Sequence, residues 1–127
     1  MPQIKSPAGD TGRLNYHAGR AAEECVARAY EARGAALAHK RWRGPGGEID
    51  LVLREGDTLV FVEVKKSRTF ESAALRISPT QIARIFAAAS GFIAGEPAGQ
   101  LTPVRFDAAL VDATGAVSIL PGALHTT

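Results

Sequence analysis

The strongest constraint on this chain comes from charge placed where strands normally exclude it. Gly47-Glu48-Ile49-Asp50 opens one apolar stretch, and thirteen positions beyond that aspartate Val62-Glu63-Val64-Lys65 closes another. Both stretches are β-branched and bounded by turn residues, so each reads as a core strand that has accepted ionisable side chains.

Turn chemistry places the two strands against each other. Ile49–Leu53 and Leu59–Val64 flank Glu55-Gly56-Asp57-Thr58, a hairpin signal because glycine and aspartate tolerate the turn conformations required. A two-residue loop at Gly56-Asp57, or a four-residue loop over 55–58, sets Asp50 opposite Glu63, with Cβ atoms roughly 4.5–5.5 Å apart. Residues two apart share a face, so Glu63 and Lys65 point the same way. A three-residue loop would send Asp50 to the other face, so the pairing depends on the turn.

Two carboxylates that close repel unless a cation lies between them, and Lys65 offsets only part of the charge. A hard divalent ion, Mg²⁺ or Mn²⁺, resolves the conflict with Asp50 and Glu63 as ligands, completed by waters and the backbone carbonyl of Val64. Such an ion polarises a phosphoryl oxygen and acidifies water, and Lys65 can orient that water or neutralise developing charge. The chemistry suggested is phosphodiester hydrolysis. The competing reading is a metal-free ion-pair triad, an odd choice for a hairpin of Ile, Leu, Val and Phe because buried pairs rarely improve on apolar packing.

Gly47-Glu48-Ile49-Asp50-Leu51-Val52, followed by Asp57-Thr58-Leu59-Val60-Phe61-Val62-Glu63-Val64-Lys65, resembles the signature of the YraN family of small bacterial proteins. The resemblance runs from about Gly19 to about Val111. It implies a restriction-endonuclease-like fold of the PD-(D/E)xK superfamily, similar in outline to archaeal Holliday-junction resolvases, with metal ligands at Asp50 and Glu63 and a catalytic lysine at Lys65. It supplies no substrate.

The 127 residues, 46% of them apolar, suit a single domain. The expected limits are a loose tail over 1–15, one nuclease-like domain over 16–122 and a short tail over 123–127. No apolar run reaches the ~18 residues of a membrane span, and the start Met1-Pro2-Gln3-Ile4-Lys5-Ser6 lacks a signal-peptide core. A cytoplasmic protein with no membrane partner is expected. The lone Cys25 falls on an apolar helical stripe and reads as core.

Helical spacing runs from His17 to about Arg33 through Ala18, Ala22, Val26, Ala29 and Tyr30, with Gly34 as C-cap. Strands follow over 36–43, 47–54 and 58–66. Ser78-Pro79 then opens a second helix whose stripe is Ile82, Ile85, Phe86, Ala89 and Ile93, and strands over 103–112 and 116–120 close the chain. This order predicts an α/β three-layer fold with a mixed sheet between helices.

The helical wheel also adds a candidate, because at about 100° per residue Glu23 sits at the margin of the helix-one stripe and Glu24 opposite it. Glu23 can therefore reach the site, and the resemblance agrees through Gly19-Arg20-Ala21-Ala22-Glu23. Gln81 lies at the margin of helix two, where the resemblance leads one to expect a lysine, with Arg84 and Arg76 nearby.

A net charge of +2 argues little by itself, but its distribution argues more. Lys40, Arg41 and Arg43 surround Trp42, and Lys66 and Arg68 follow Lys65. These clusters suit phosphate neutralisation, with Trp42 either stacking on a base or packing. Arg105-Phe106-Asp107 reads as a structural pair. His17, His39 and His125 lack zinc spacing.

The resulting expectation is a Mg²⁺- or Mn²⁺-dependent nuclease acting on nucleic acid, DNA before RNA, branched or structured DNA included. Catalysis falls to Asp50, Glu63, Lys65 and Glu23, and nucleic-acid contacts to Arg41, Arg43, Lys66, Arg68, Gln81 and Arg84. Symmetric cutting of two strands would call for a homodimer. The alternative is a non-catalytic nucleic-acid-binding or assembly module on the same fold.

Overall fold

The computed structural model describes residues 8–125, with side chains from Gly19 onward. Helix α1 (Ala8–Ala32) is followed by strands β1 (Ala36–Gly44), β2 (Gly47–Glu55) and β3 (Thr58–Lys66). Helices α2 (Phe70–Ala74) and α3 (Pro79–Ile93) come next, then β4 (Val104–Val111) and β5 (Val117–Leu120). The sheet order is β1-β2-β3-β4-β5. Only β3 and β4 run parallel, and parallel neighbours need a crossover, which α2 and α3 supply.

Side-chain alternation along the strands creates the layers. Leu51, Leu53, Val60, Val62, Ala109 and Val111 meet Ala22, Val26 and Tyr30 of α1 on one face. Val52, Leu59, Phe61 and Ala108 meet Ile85, Ala88 and Ala89 of α3 on the other. The expected α/β three-layer arrangement, a mixed sheet flanked by helices, is present. Each aliphatic side chain fully buried in these clusters contributes about 1.5–3 kcal/mol relative to an exposed one.

The β2–β3 turn is the two-residue loop: Glu55 pairs with Thr58, and Gly56 has a φ of 60° while Asp57 keeps a negative φ, a type II′ pattern. The paired residues continue to Leu51↔Val62, which brings Asp50 and Glu63 level with each other.

Alternation along β2 breaks once, at Asp50. Ile49 packs with Val52 rather than with Leu51. The neighbouring strand bends at the same level, since Arg41, between the pairs Lys40↔Leu51 and Trp42↔Ile49, has a φ of 52°. It is the one non-glycine residue in this left-handed region among those described, a conformation that costs a residue with a Cβ roughly 1–2 kcal/mol.

Two boundaries and one added helix differ from expectation. Helix α1 extends back to Ala8, so residues 8–15 of the expected tail are helical, because each residue added to a formed helix gains a hydrogen bond without a new nucleation cost. Residues 1–7 lie outside those described. At the other end Leu124 is buried at 4% exposure and its N–H donates to the Phe106 carbonyl, so the fold runs past 122. Helix α2 has only five residues, too few for an apolar period to show in sequence.

Candidate functional site

Where the β2–β3 pairing ends, a side chain replaces the backbone as acceptor: the Val64 N–H donates to Asp50 Oδ2 at 2.7 Å. Glu63 beside it is 7% exposed, and Lys65 Nζ lies 3.0 Å from Glu63 Oε2. Burial holds the Asp50 carboxyl well above the usual carboxylate range, the Glu63 charge adds to this, and the Val64 amide partly offsets both. Two acids and one lysine thus share a largely buried corner, where ionising both acids would leave one negative charge uncompensated.

Glu23 of α1 joins them in one pocket of about 780 Å³. Burial raises its pKa more than Arg41 lowers it, although Arg41 Nη2 approaches Glu23 Oε1 to 2.7 Å. The left-handed backbone at Arg41 accompanies this reach from β1 to α1. Glu24 points away, pairing with Lys40 at 2.8 Å on the surface.

The pocket is lined by the acids Glu23, Glu48, Asp50 and Glu63 and by Lys65, Lys66, Arg76, Gln81 and Arg84. The β1–β2 turn comes close to α3 here. Gly46 has a φ of 88°, and a Cβ on it would lie 2.9 Å from the Ala87 Cβ, so glycine is required.

The expected nucleic-acid contacts divide. Lys66, Gln81 and Arg84 line the pocket, whereas Arg41, Arg43 and Arg68 do not. Arg41 is engaged by Glu23, and Arg43 lies 3.5 Å from Glu48. Arg68 is exposed. Trp42 packs: its ring meets Phe92 edge-on at 5.2 Å and its Nε1 donates to the Ala88 carbonyl at 3.3 Å.

Arg76 is the pocket residue that spacing alone brings out least. It follows α2, which a capping box between Thr69 and Ser72 starts, and Arg76 Nη1 donates to the Lys66 carbonyl. The Thr69-x-x-Ser72 pattern was the available sequence signal. Glu48 sits inside the Gly47–Asp50 motif, yet only its place on the pocket wall separates it from an ordinary surface carboxylate.

Among the described residues no three His, Cys, Asp or Glu side chains converge as a metal cluster. The two adjacent carboxylates of Asp50 and Glu63 nevertheless suit a hard cation that keeps several waters, as Mg²⁺ does. No helix among the described residues is long and apolar enough to cross a membrane.

Comparison with known proteins agrees with the motif. The chain is 59% identical to a UPF0102 protein of Roseobacter denitrificans over 98% of its own length and 95% of that protein's. It is 56% identical to one from Cereibacter sphaeroides, over 89% and 97%, and 55% identical to one from Ruegeria pomeroyi, over 88% and 91%. Residues 22–111, which hold Glu23, Asp50, Glu63 and Lys65, match the model described as "Uncharacterised protein family UPF0102", and the chain belongs to that family, the YraN family.

Proposed function

We propose that the protein is a metal-dependent nuclease that hydrolyses phosphodiester bonds with Mg²⁺ or Mn²⁺. The observation that carries this reading is the meeting of Asp50, Glu63 and Lys65 in one polar pocket cut into an apolar sheet. Asp50 and Glu63 would hold the ion, with the Val64 carbonyl as a further oxygen ligand. When bound, the ion would polarise the phosphoryl oxygen and acidify water.

The chain's own groups do the rest. The Val64 amide fixes the Asp50 carboxylate in orientation, so little reorganisation is needed on loading. Lys65 Nζ, now on Glu63, is positioned to donate to the attacking water or to the phosphoryl oxygens as negative charge develops. Glu23 supplies a further acid from α1, able to orient water once it leaves Arg41.

One observation favours a second reading, a non-catalytic nucleic-acid-binding or assembly module. Lys65 closes on Glu63 and Arg41 on Glu23, so both acids already have cationic partners. A panel of labelled branched, duplex and single-stranded DNA and RNA, incubated with Mn²⁺, separates the two. Cleavage by the wild type that is lost in Glu63→Ala supports the nuclease, and binding without cleavage in both supports the module.

A further inference from the structure

The acids and the cations that line the pocket differ in how their charges are satisfied. Among the acids Glu63 meets Lys65, Glu23 meets Arg41 and Glu48 meets Arg43. Among the described residues no ion pair engages Lys66 or Arg84, which line the same pocket, and the Arg76 guanidinium is held by a main-chain carbonyl, that of Lys66. Three positive charges lining a concave site, without a carboxylate to neutralise them, form an anion receptor. The hydrogen bond from Arg76 to the Lys66 carbonyl joins the end of β3 to the end of α2 and fixes the Arg76 guanidinium to the β3 backbone.

Lys66, Arg76 and Arg84 line the same pocket as Asp50, Glu63 and Lys65. Resting on the nuclease reading above, we propose that Lys66, Arg76 and Arg84 form a second phosphate subsite. It takes the phosphate next to the scissile one, so that the substrate is a continuous single polynucleotide strand, not a terminal phosphomonoester or an isolated phosphodiester. Gln81 argues for a nucleotide over a bare anion. Its Oε1 is buried without a hydrogen-bond partner, and a phosphate dianion offers no donor, whereas a sugar hydroxyl or a base N–H does. The pocket's size, about 780 Å³, is that of a site for a small ligand, roughly 300–1,000 Å³, which suits a stretch of one strand and not a duplex.

The test measures binding of a fluorescent single-stranded oligothymidylate in EDTA across a salt series. The proteins are the wild type, a Lys66→Ala/Arg84→Ala double variant, Arg76→Gln, and Arg28→Ala as a control from the outer surface of α1. Removing one cation that neutralises a phosphate makes the slope of log K against log salt shallower by about 0.7 for a single strand, so the double variant should lose about 1.4 and the control nothing. Thermal melts of all four should coincide. The wild type should also bind the trinucleotide TpTpT at least tenfold more tightly than the dinucleotide TpT, and the double variant should not discriminate.

A wild-type slope in the double variant, or a wild type indifferent to the second phosphodiester, overturns the subsite. With Mn²⁺, cleavage should persist in the double variant with a raised KM and vanish in Glu63→Ala. Salt slopes as expected, but no cleavage by the wild type, would remove the nuclease reading while keeping the subsite as a strand-binding one. A wild type that binds no oligonucleotide removes both.

Discussion

Asp50 Oδ2 accepts the Val64 N–H at 2.7 Å, so an aspartate side chain completes the β2–β3 pairing that the backbone leaves off after Leu51 and Val62. The carboxylate has two separable duties, a neutral one as hydrogen-bond acceptor and a charged one toward a cation. Asp50→Asn keeps an acceptor of the same shape and removes a charge disfavoured by burial and by Glu63. It should melt at or above the wild-type temperature and show no cleavage. Asp50→Ala leaves the Val64 amide unpaired, a loss of about 1–3 kcal/mol, or roughly 4 °C for each kcal/mol in a domain of this size. Differential scanning fluorimetry of the two variants checks the contrast.

The raised pKa of Asp50 also sets a pH dependence. In the metal-free protein its proton is bound more tightly when folded than when unfolded. Above the ordinary carboxylate value of about 3.9 the unfolded chain therefore binds fewer protons at this position than the native state does. This contribution to stability is complete below that value and is lost as pH rises through the raised folded pKa. Melting temperatures in EDTA should accordingly show a downward component from pH 5 to pH 8 that Asp50→Asn removes. Metal ligation requires the ionised form, so apparent Mn²⁺ affinity should rise over the same interval. A wild-type profile that Asp50→Asn leaves unchanged would count against this environment for Asp50.

The central hairpin was legible because turn chemistry and period two act over a few residues: Gly56-Asp57 fixes the register, and the register puts Asp50 level with Glu63. Glu23 was legible from a helical wheel, since α1 meets the sheet through the stripe that contains Ala22, Val26 and Tyr30. The bend at Arg41 and Asp50 was not. It is a tertiary compromise in which an arginine adopts a left-handed backbone while its side chain meets an acid on another element, and no local propensity announces it. The pairing of Lys40 with Glu24 and of Arg43 with Glu48 was hidden for the same reason. A basic cluster in sequence shows which charges exist, but their partners are set by the packing of β1 against α1 and β2.

A second polar group in the core is structural. Asp107 has no exposure and receives Tyr30 Oη at 2.7 Å, Arg105 through two nitrogens at 2.9 and 3.0 Å, and the Gly122 amide at 2.8 Å. Arg105 also reaches Glu55 at 2.7 Å. Removing the acid strands all these donors, so Asp107→Ala should cost about 3–5 kcal/mol. Tyr30→Phe removes one bond and leaves the other donors in place, a loss of about 1 kcal/mol. Neither residue lines the pocket, so cleavage per folded molecule should be unchanged. Urea titration followed by tryptophan fluorescence gives both values.

Glu63→Ala decides what the charged corner is for. As metal ligands, Asp50 and Glu63 repel each other in the apo protein, and removing Glu63 relieves that repulsion. Folding should then survive, cleavage should disappear, and the stabilisation that Mn²⁺ confers on the wild type should vanish with it, since a ligand binding only the native state raises its stability by mass action. As a structural pair, Glu63 is the partner of a lysine whose side chain is 12% exposed. Its removal would leave that ammonium uncompensated, at about 3–5 kcal/mol, or roughly 12–20 °C in melting temperature. Melts of wild type and variant, each with and without Mn²⁺, give four temperatures. A metal-induced rise in the wild type only, with a well-folded variant, is the result expected. A large loss in the variant with no response to metal in either protein would establish the ion pair and exclude the metal centre.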